Sequence, residues 1–148
     1  MDWLWMLIVA VRAVSPAPDD QWAVRLAELD HVRERAFATS DPSMLDEVYV
    51  EGSRAQRADA RLIEDYRRRD GRVVGAELRV LSCRVLGEGS GRVRLEVVDQ
   101  LVPARVEWGD GTSTDLPRDR PSRRHVTLER TGDGRWRIAA ARLVSRPR

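Results

Sequence analysis

The chain has 148 residues, of which 42% are hydrophobic and 34% charged, so it suits one domain with its own core and is unlike a disordered protein. Its 26 basic and 24 acidic residues leave a formal net charge of only +2, which gives little long-range attraction for nucleic acid. The single cysteine, Cys83, excludes an internal disulfide and a zinc site built on cysteines.

The N-terminal segment is apolar but short. Residues 3–14, WLWMLIVAVRAV, contain one charge, at Arg12. A membrane-spanning helix needs about 20 such residues, and a signal peptide would carry positive charge where Asp2 stands. Three interpretations stay open: the exposed end of a membrane anchor, an atypical signal sequence, or a helix packed on the domain. The first two favour a membrane-associated, extracytoplasmic protein, with a cytoplasmic location as the alternative.

A proline-containing linker follows, so we divide the chain into an N-terminal segment, residues 1–20, and a domain, residues 21–145. Apolar residues recur at helical spacing over 21–39 and predict an amphipathic helix, with Arg33 among the charges on its other positions. Asp41 before Pro42 predicts the N-cap of a short second helix.

The third predicted helix begins at a capping box. In a capping box, the side chains of the first and fourth residues each accept a hydrogen bond from a backbone N–H at the start of the helix. Ser53 and Gln56 have this spacing. Basic residues through Arg69 suit the C-terminal end of this helix, and Gly71 suits the position after it. The sequence therefore predicts three helices in its first half.

After Gly71 the apolar period changes from about 3.6 to 2, which indicates strands. The predicted strands cover 76–86, 92–101, 122–130 and 135–144, and glycine-rich turns lie at 87–91, 109–111 and 132–134. Pro103 marks a bend or an edge because it cannot donate to a strand ladder. The fold class is therefore α+β, with an antiparallel sheet after the helices.

Several short motifs, in this order, carry a resemblance to a known superfamily. They are Leu29-Asp30, Arg33 to Phe37 (RERAF), Asp41-Pro42, Val48-Tyr49, Gly52-Ser53, Arg79-Val80, Val97 to Leu101 (VVDQL) and Gly134 to Ile138 (GRWRI). Three helices followed by antiparallel strands resemble the nuclear transport factor 2-like, or cystatin-like, cone superfamily. The resemblance implies that three helices pack in the concave face of a curved sheet of about four to five strands, with a pocket inside. It extends to small actinobacterial proteins in which such a domain follows a hydrophobic segment, which favours an envelope location.

Asp99 is the first candidate site residue. It interrupts an apolar strand face, where an unpaired carboxylate is costly and its pKa rises. Enzymes of the superfamily use a pocket carboxylate or histidine as general base, so the resemblance makes Asp99 a candidate catalytic base. The alternatives are a structural pairing with an arginine or backbone amides, and a non-catalytic contact with a ligand.

Three further residues are ligand-binding candidates. Tyr49 and Tyr66 end helical apolar stripes and are expected in the core, with a hydroxyl able to donate to a ligand. His125 lies on a strand with parity opposite to Val126 and Leu128, which favours the surface over the pocket.

The arginine-rich stretches around 67–72 and 118–124 are interspersed with aspartates and nearly free of aromatic residues. A solvated or lipid-facing surface explains them better than nucleic-acid binding does. The sequence contains no metalloprotease, nucleophile-elbow, Walker or paired-cysteine motif, so no metal or cofactor is expected.

Our primary hypothesis from sequence is a non-enzymatic binding or protein-interaction module at the cell envelope, with a small apolar ligand or a protein as partner. The alternative is a small cofactor-independent lyase or isomerase, in which Asp99 is the base and a tyrosine hydroxyl polarises the substrate. The polar strand face at Arg92, Arg94, Glu96 and Gln100 favours a monomer or a weak dimer.

Overall fold

The computed structural model describes residues 18–145, so the apolar segment at 3–14 lies outside the described residues. The helices are α1 (Pro18–Thr39), a short 3-10 helix (Pro42–Glu47) and α2 (Arg54–Arg68). The strands are β1 (Gly71–Val74), β2 (Leu78–Gly89), β3 (Arg92–Leu101), β4 (Arg105–Trp108), β5 (Ser113–Asp115), β6 (Ser122–Arg130) and β7 (Trp136–Ser145). Within residues 18–145, no helix has the length and apolar character needed to cross a membrane.

The strands form two antiparallel sheets. The larger has the order β2-β3-β6-β7 and the smaller the order β1-β4-β5. The α+β class and the helices-then-strands order are confirmed. The strand count differs from the prediction of four to five, because β1, β4 and β5 are too short to give a clear alternation.

The second helix also differs from the prediction, since it is a 3-10 helix of six residues. Its cap is as predicted: an Asp41 carboxylate oxygen accepts a hydrogen bond from the Ser43 N–H at 3.0 Å. The helix stops early because the backbone turns to bond β7. Ile138 donates to the Val48 carbonyl, and Val50 donates to the Ile138 carbonyl, each at 2.9 Å.

The Ser53 cap of α2 is confirmed, and the Gln56 side chain reaches back one residue further than a capping box requires. The Ser53 hydroxyl oxygen accepts from the Gln56 N–H at 3.2 Å, and the Gln56 side chain accepts from the Gly52 N–H at 2.9 Å. The first bond satisfies a donor that the first turn of α2 leaves free, and the two bonds together fix where α2 begins.

The large sheet has an inner face that packs on α1 and an outer face that points away from it. Alternation places Val93, Leu95, Val97 and Asp99 of β3 on the inner face, opposite Leu128, Val126, Arg124 and Ser122 of β6. Trp22 of α1 meets Trp136 of β7 edge to face, with centroids 4.9 Å apart, as expected for core anchors.

The buried apolar side chains form two clusters. One joins the inner face to the N-terminal half of α1 around Trp22, Leu26 and Leu95. The other lies between the helices and the small sheet, around Phe37, Leu45 and Ile63. Leu29 and Ile138 contact both clusters, so they lie at the boundary between the two cores.

We expect Leu95→Ala to lower the free energy of unfolding by about 3 kcal/mol, because Leu95 is fully buried and its loss leaves a cavity. The matched control is Leu81→Ala, since Leu81 is 50% exposed at a bulge of β2 and should cost less than about 1 kcal/mol. Urea denaturation measures both, and equal losses would contradict the placement of Leu95 in the core.

Candidate functional site

A cavity of about 430 Å³ lies between α1, α2 and the inner face of the large sheet. Its apolar wall includes Leu26 of α1, Val80 of β2, Val97 of β3, Val126 of β6 and Ile138 of β7. Seven polar side chains also line it, drawn from α1, α2, the segment between the helices, β3, the segment before β6, and β6 itself. They are Asp30, Arg33, Tyr49, Asp59, Asp99, Asp119 and Arg124.

Arg33 is the central cation of the cavity. Its Nε donates to Asp59 Oδ2 at 2.7 Å, and its Nη2 reaches Asp59 Oδ1 at 3.4 Å, so the pair is bidentate. Burial alone would lower the pKa of Arg33, but the charge and hydrogen bonds of Asp59 outweigh it and raise that pKa. The guanidinium therefore stays charged and holds α1 against α2.

Tyr49 completes this cluster by donating its hydroxyl proton to Asp59 Oδ2 at 2.5 Å. Burial and the Asp59 charge raise the pKa of Tyr49, so the phenol stays protonated. A phenol has one proton to donate. With that proton directed at Asp59, Tyr49 presents only its oxygen lone pairs to a ligand.

Asp30 lies one turn before Arg33 on α1 and faces the same cavity. Its Oδ2 accepts from the Leu78 N–H at 2.8 Å, which ties α1 to the start of β2. Its Oδ1 lies 3.7 Å from Arg33 Nη1, and both atoms are buried without a hydrogen-bond partner among the described residues. Burial raises the pKa of Asp30 to about 6, against the opposing effects of the Leu78 amide and Arg33. Asp30 therefore titrates close to neutral pH.

Asp99 is buried, at 5% exposed, and its Oδ1 accepts from Arg124 Nε at 3.1 Å. Because Arg124 pairs with Val97 in the register, it lies on the inner face, one step along from Asp99. Burial raises the pKa of Asp99, and the charge and hydrogen bond of Arg124 oppose this. This is the only side-chain hydrogen bond of Asp99 within the described part of the chain, so Oδ2 is left as an acceptor beside the cavity.

Asp119 sits near the same end of β3 as Asp99. Its carboxylate accepts from the Leu101 N–H at 2.9 Å, and its carbonyl accepts from the Gln100 side-chain amide at 2.9 Å. These bonds fasten the segment before β6 across the end of β3 and close one side of the cavity.

The structure brings together two of the predicted site residues, Asp99 and Tyr49, and separates the other two. Tyr66 lies two turns beyond Asp59 along α2, next to the small sheet, with its ring 6.4 Å from that of Trp108. His125 lies on the outer face, where its Nε2 is 3.6 Å from Glu96 Oε2. His125 pairs with Glu96 in the register, so both side chains lie on the outer face. Neither Tyr66 nor His125 lines the cavity.

Sequence reasoning missed Asp30, Arg33 and Arg124 as site residues. It assigned Arg33 to the solvent side of α1, which is wrong, because the side chain is only 18% exposed. The signal was present: Leu26, Asp30, Arg33 and Phe37 follow helical spacing and so share one face. Arg124 likewise has the parity of Val126 and Leu128, although the arginines around it favoured a surface interpretation.

Within residues 18–145, no group of three or more histidine, cysteine or acidic side chains could hold a metal ion. The cavity instead offers carboxylate oxygens and guanidinium N–H groups in internally paired sets. Such an arrangement can accept and donate hydrogen bonds to a ligand while Arg33 and Arg124 compensate the carboxylates that they contact.

Solved structures share this fold at low sequence identity. The intermembrane space region of the chloroplast protein ARC6 aligns with a TM-score of 0.59 and 11% identity, over 88% of this chain and 99% of that one. A nuclear transport factor 2-like superfamily protein from Salmonella enterica gives 0.53 and 9%, over 87% and 94%. Aln2 from a Streptomyces species gives 0.53 and 16%, over 86% and 91%.

These likenesses define the class of the chain by its fold: it is an α+β domain with the nuclear transport factor 2-like architecture, as the sequence resemblance predicted. No protein-family model matches the sequence. No curated protein matches it either.

We expect Asp30→Asn to change how stability depends on pH. The folded pKa of about 6 exceeds the ordinary value of 3.8, so between these values the folded state holds a proton that the unfolded chain has lost. The free energy of unfolding therefore falls as the pH rises through this window. Asparagine cannot ionise, so the Asp30→Asn protein does not lose this stability. Between about pH 4 and about pH 7 its free energy of unfolding should rise by on the order of 2 kcal/mol relative to that of wild type.

Urea denaturation across this pH range measures the difference between the two proteins. Glu28→Gln, on the same helix, is the control, because Glu28 is exposed and its charge is not among those that shift the pKa of Asp30. It should leave the pH profile near that of wild type. If the wild-type and Asp30→Asn profiles stay parallel, the carboxyl of Asp30 is not buried as described.

Proposed function

We propose that this domain is a non-enzymatic binding module that holds a small, largely apolar molecule in the cavity. The cavity carries this proposal: about 430 Å³ is within the size range of small-molecule sites, which are apolar with a few fixed polar groups. The apolar body of the ligand would contact Leu26, Val80 and Val126. A polar group of the ligand would meet Asp99 and Arg124.

The pairing of the charged groups favours binding over proton transfer. Arg33 and Tyr49 are both committed to Asp59, so the tyrosine required by the enzymatic alternative has no proton left for a substrate. Asp99 is engaged by Arg124. Groups already satisfied by the protein can line a site without needing a charged ligand to compensate them.

The location of this module is a separate proposal that rests on the sequence. The apolar residues 3–14 support a domain held at the outer face of a membrane. The paired charges in the cavity are compatible with either side of a membrane and do not bear on this point.

The binding proposal is tested with N-phenyl-1-naphthylamine, a neutral apolar probe whose fluorescence rises in an apolar site. Ala141 lines the cavity and is exposed at its mouth, whereas Ala140 precedes it on β7 and pairs with Thr127 of the outer face. Ala141→Trp should weaken probe binding at least about tenfold by obstructing the mouth, and Ala140→Trp should change it less than about twofold.

Fluorescence titration of the three proteins gives the result directly. Equal weakening by both substitutions would place the probe elsewhere on the surface. A failure of the wild-type protein to bind the probe saturably would contradict the proposal itself.

One observation favours the enzymatic alternative. Asp30 and Asp99 both have raised pKa values and both line the cavity, and carboxyl groups perturbed in this way occur at acid–base sites. In this version Asp99 accepts a proton from a carbon next to a ligand carbonyl, and Arg124 stabilises the resulting oxyanion.

Proton abstraction by Asp99 predicts deuterium exchange at the carbon next to the carbonyl of a bound ketone. With 2-tetralone as the probe in D₂O, the binding module should give the buffer rate for both wild type and Asp99→Asn. Mass spectrometry of the recovered ketone measures the exchange. Faster exchange with wild type that disappears in Asp99→Asn would replace the binding proposal by the enzymatic one.

A further inference from the structure

The outer face of the large sheet carries a concentration of positive charge that the overall composition hides. The register of β2, β3, β6 and β7 places two glutamates on this face, Glu96 and Glu129, and six arginines besides Arg137. The six are Arg79, Arg84, Arg92, Arg94, Arg123 and Arg142. Arg137 is paired with Asp133 and is left out of the sum, so the remaining groups carry a formal charge of +4. The whole chain carries only +2, so the cationic charge is concentrated on one surface.

The six arginines are exposed, so no other part of the described chain covers them. Glu96 is shared between Arg84 at 3.1 Å and Arg123 at 3.6 Å, and Glu129 lies 3.6 Å from Arg92. The remaining three, Arg79, Arg94 and Arg142, have no carboxylate partner among the described residues. The face therefore has guanidinium groups that its own acids do not neutralise.

We propose that this outer face docks on an anionic lipid surface, with its arginines bound to headgroup phosphates. A guanidinium matches a phosphate through two parallel N–H···O bonds, and it remains charged at any physiological pH. Charge spread over all four strands fits a continuous layer of headgroups better than it fits a compact ligand. The proposal is independent of whether the cavity binds a ligand.

Two other occupants fit the face less well. Single-stranded nucleic acid is held by aromatic stacking, and the register places no phenylalanine, tyrosine or tryptophan on the described outer face. A second copy of this chain, placed face to face, would bring like charges together, which opposes association.

The sequence supplies a second membrane-directed feature. Residues 3–14 are apolar apart from Arg12, and the described domain begins soon afterwards, at Pro18. Stable attachment to a membrane usually needs two signals, such as an apolar segment and a basic patch. The outer face provides the basic patch on the same chain.

The test compares two triple substitutions in the full chain. Arg79, Arg94 and Arg142, each changed to Glu, remove the unpaired cations of the face without breaking an ion pair. The matched control changes Arg54, Arg57 and Arg61 of α2 to Glu; these are also exposed, and no ion pair in the described chain includes them. Both variants change the net charge equally and keep residues 3–14.

Co-sedimentation is measured with phosphatidylcholine vesicles, with and without about one third phosphatidylglycerol, at about 0.1 M salt. Wild type should prefer the anionic vesicles at least about tenfold, since each basic residue at such a surface adds to binding. The face variant should lose this preference, and the α2 control should retain it to within about threefold. A triple Arg→Gln variant of the face, with its fold checked by circular dichroism, should also lose it.

Three outcomes would overturn the proposal. They are equal binding of wild type to both kinds of vesicle, an equal loss in the face and α2 variants, and tighter face-dependent binding to a DNA duplex of about 20 base pairs than to the anionic vesicles. The last would identify the face as a nucleic-acid surface.

Discussion

The arrangement of the cavity depends on one buried ion pair, between Arg33 of α1 and Asp59 of α2. A guanidinium that faces the interior must be compensated, and Asp59 does so through two contacts while also accepting the Tyr49 hydroxyl. Three separate segments, namely α1, α2 and the stretch just after the 3-10 helix, are therefore fixed to one carboxylate. The cavity is the space that remains between this cluster and the inner face of the sheet.

The sheet contributes the other half of the site through simple alternation. The same period that buries Val93, Leu95 and Val97 directs Asp99 inward, and the antiparallel register brings Arg124 to it. Asp30 links the two halves, since it bonds the first amide of β2 while lying one turn from Arg33. Asp30, Arg33, Asp99 and Arg124 therefore occupy positions that share a helix face or a strand face with core residues.

Sequence patterns were sufficient for most of the elements and for the placement of Asp99, because caps, turns and alternation are local signals. The Asp41 and Ser53 caps and the 122–130 and 135–144 hairpin have their predicted form. The small sheet and the 3-10 form of the second helix were not predicted, since both depend on pairing with distant segments. The pairing of Ile138 with Val48 and Val50 is one such contact.

The candidate site was less accessible from sequence for a related reason. A charged residue on an amphipathic helix is ordinarily assigned to solvent. Spacing places Arg33 on the face of Leu26 and Phe37, but no local pattern identifies its partner Asp59, which lies 26 residues later. Arg124 was obscured by the arginines that surround it in the chain. Charge partners across a fold are not encoded by spacing, so the paired character of the cavity became visible only in three dimensions.

The division of the interior into two cores has a consequence for how this domain can vary in sequence. Substitutions within one cluster can be offset by neighbours in that same cluster, so each core is able to change without disturbing the other. Leu29 and Ile138 must satisfy both sets of neighbours at once and have the least freedom. A substitution at either position therefore disturbs both cores at once.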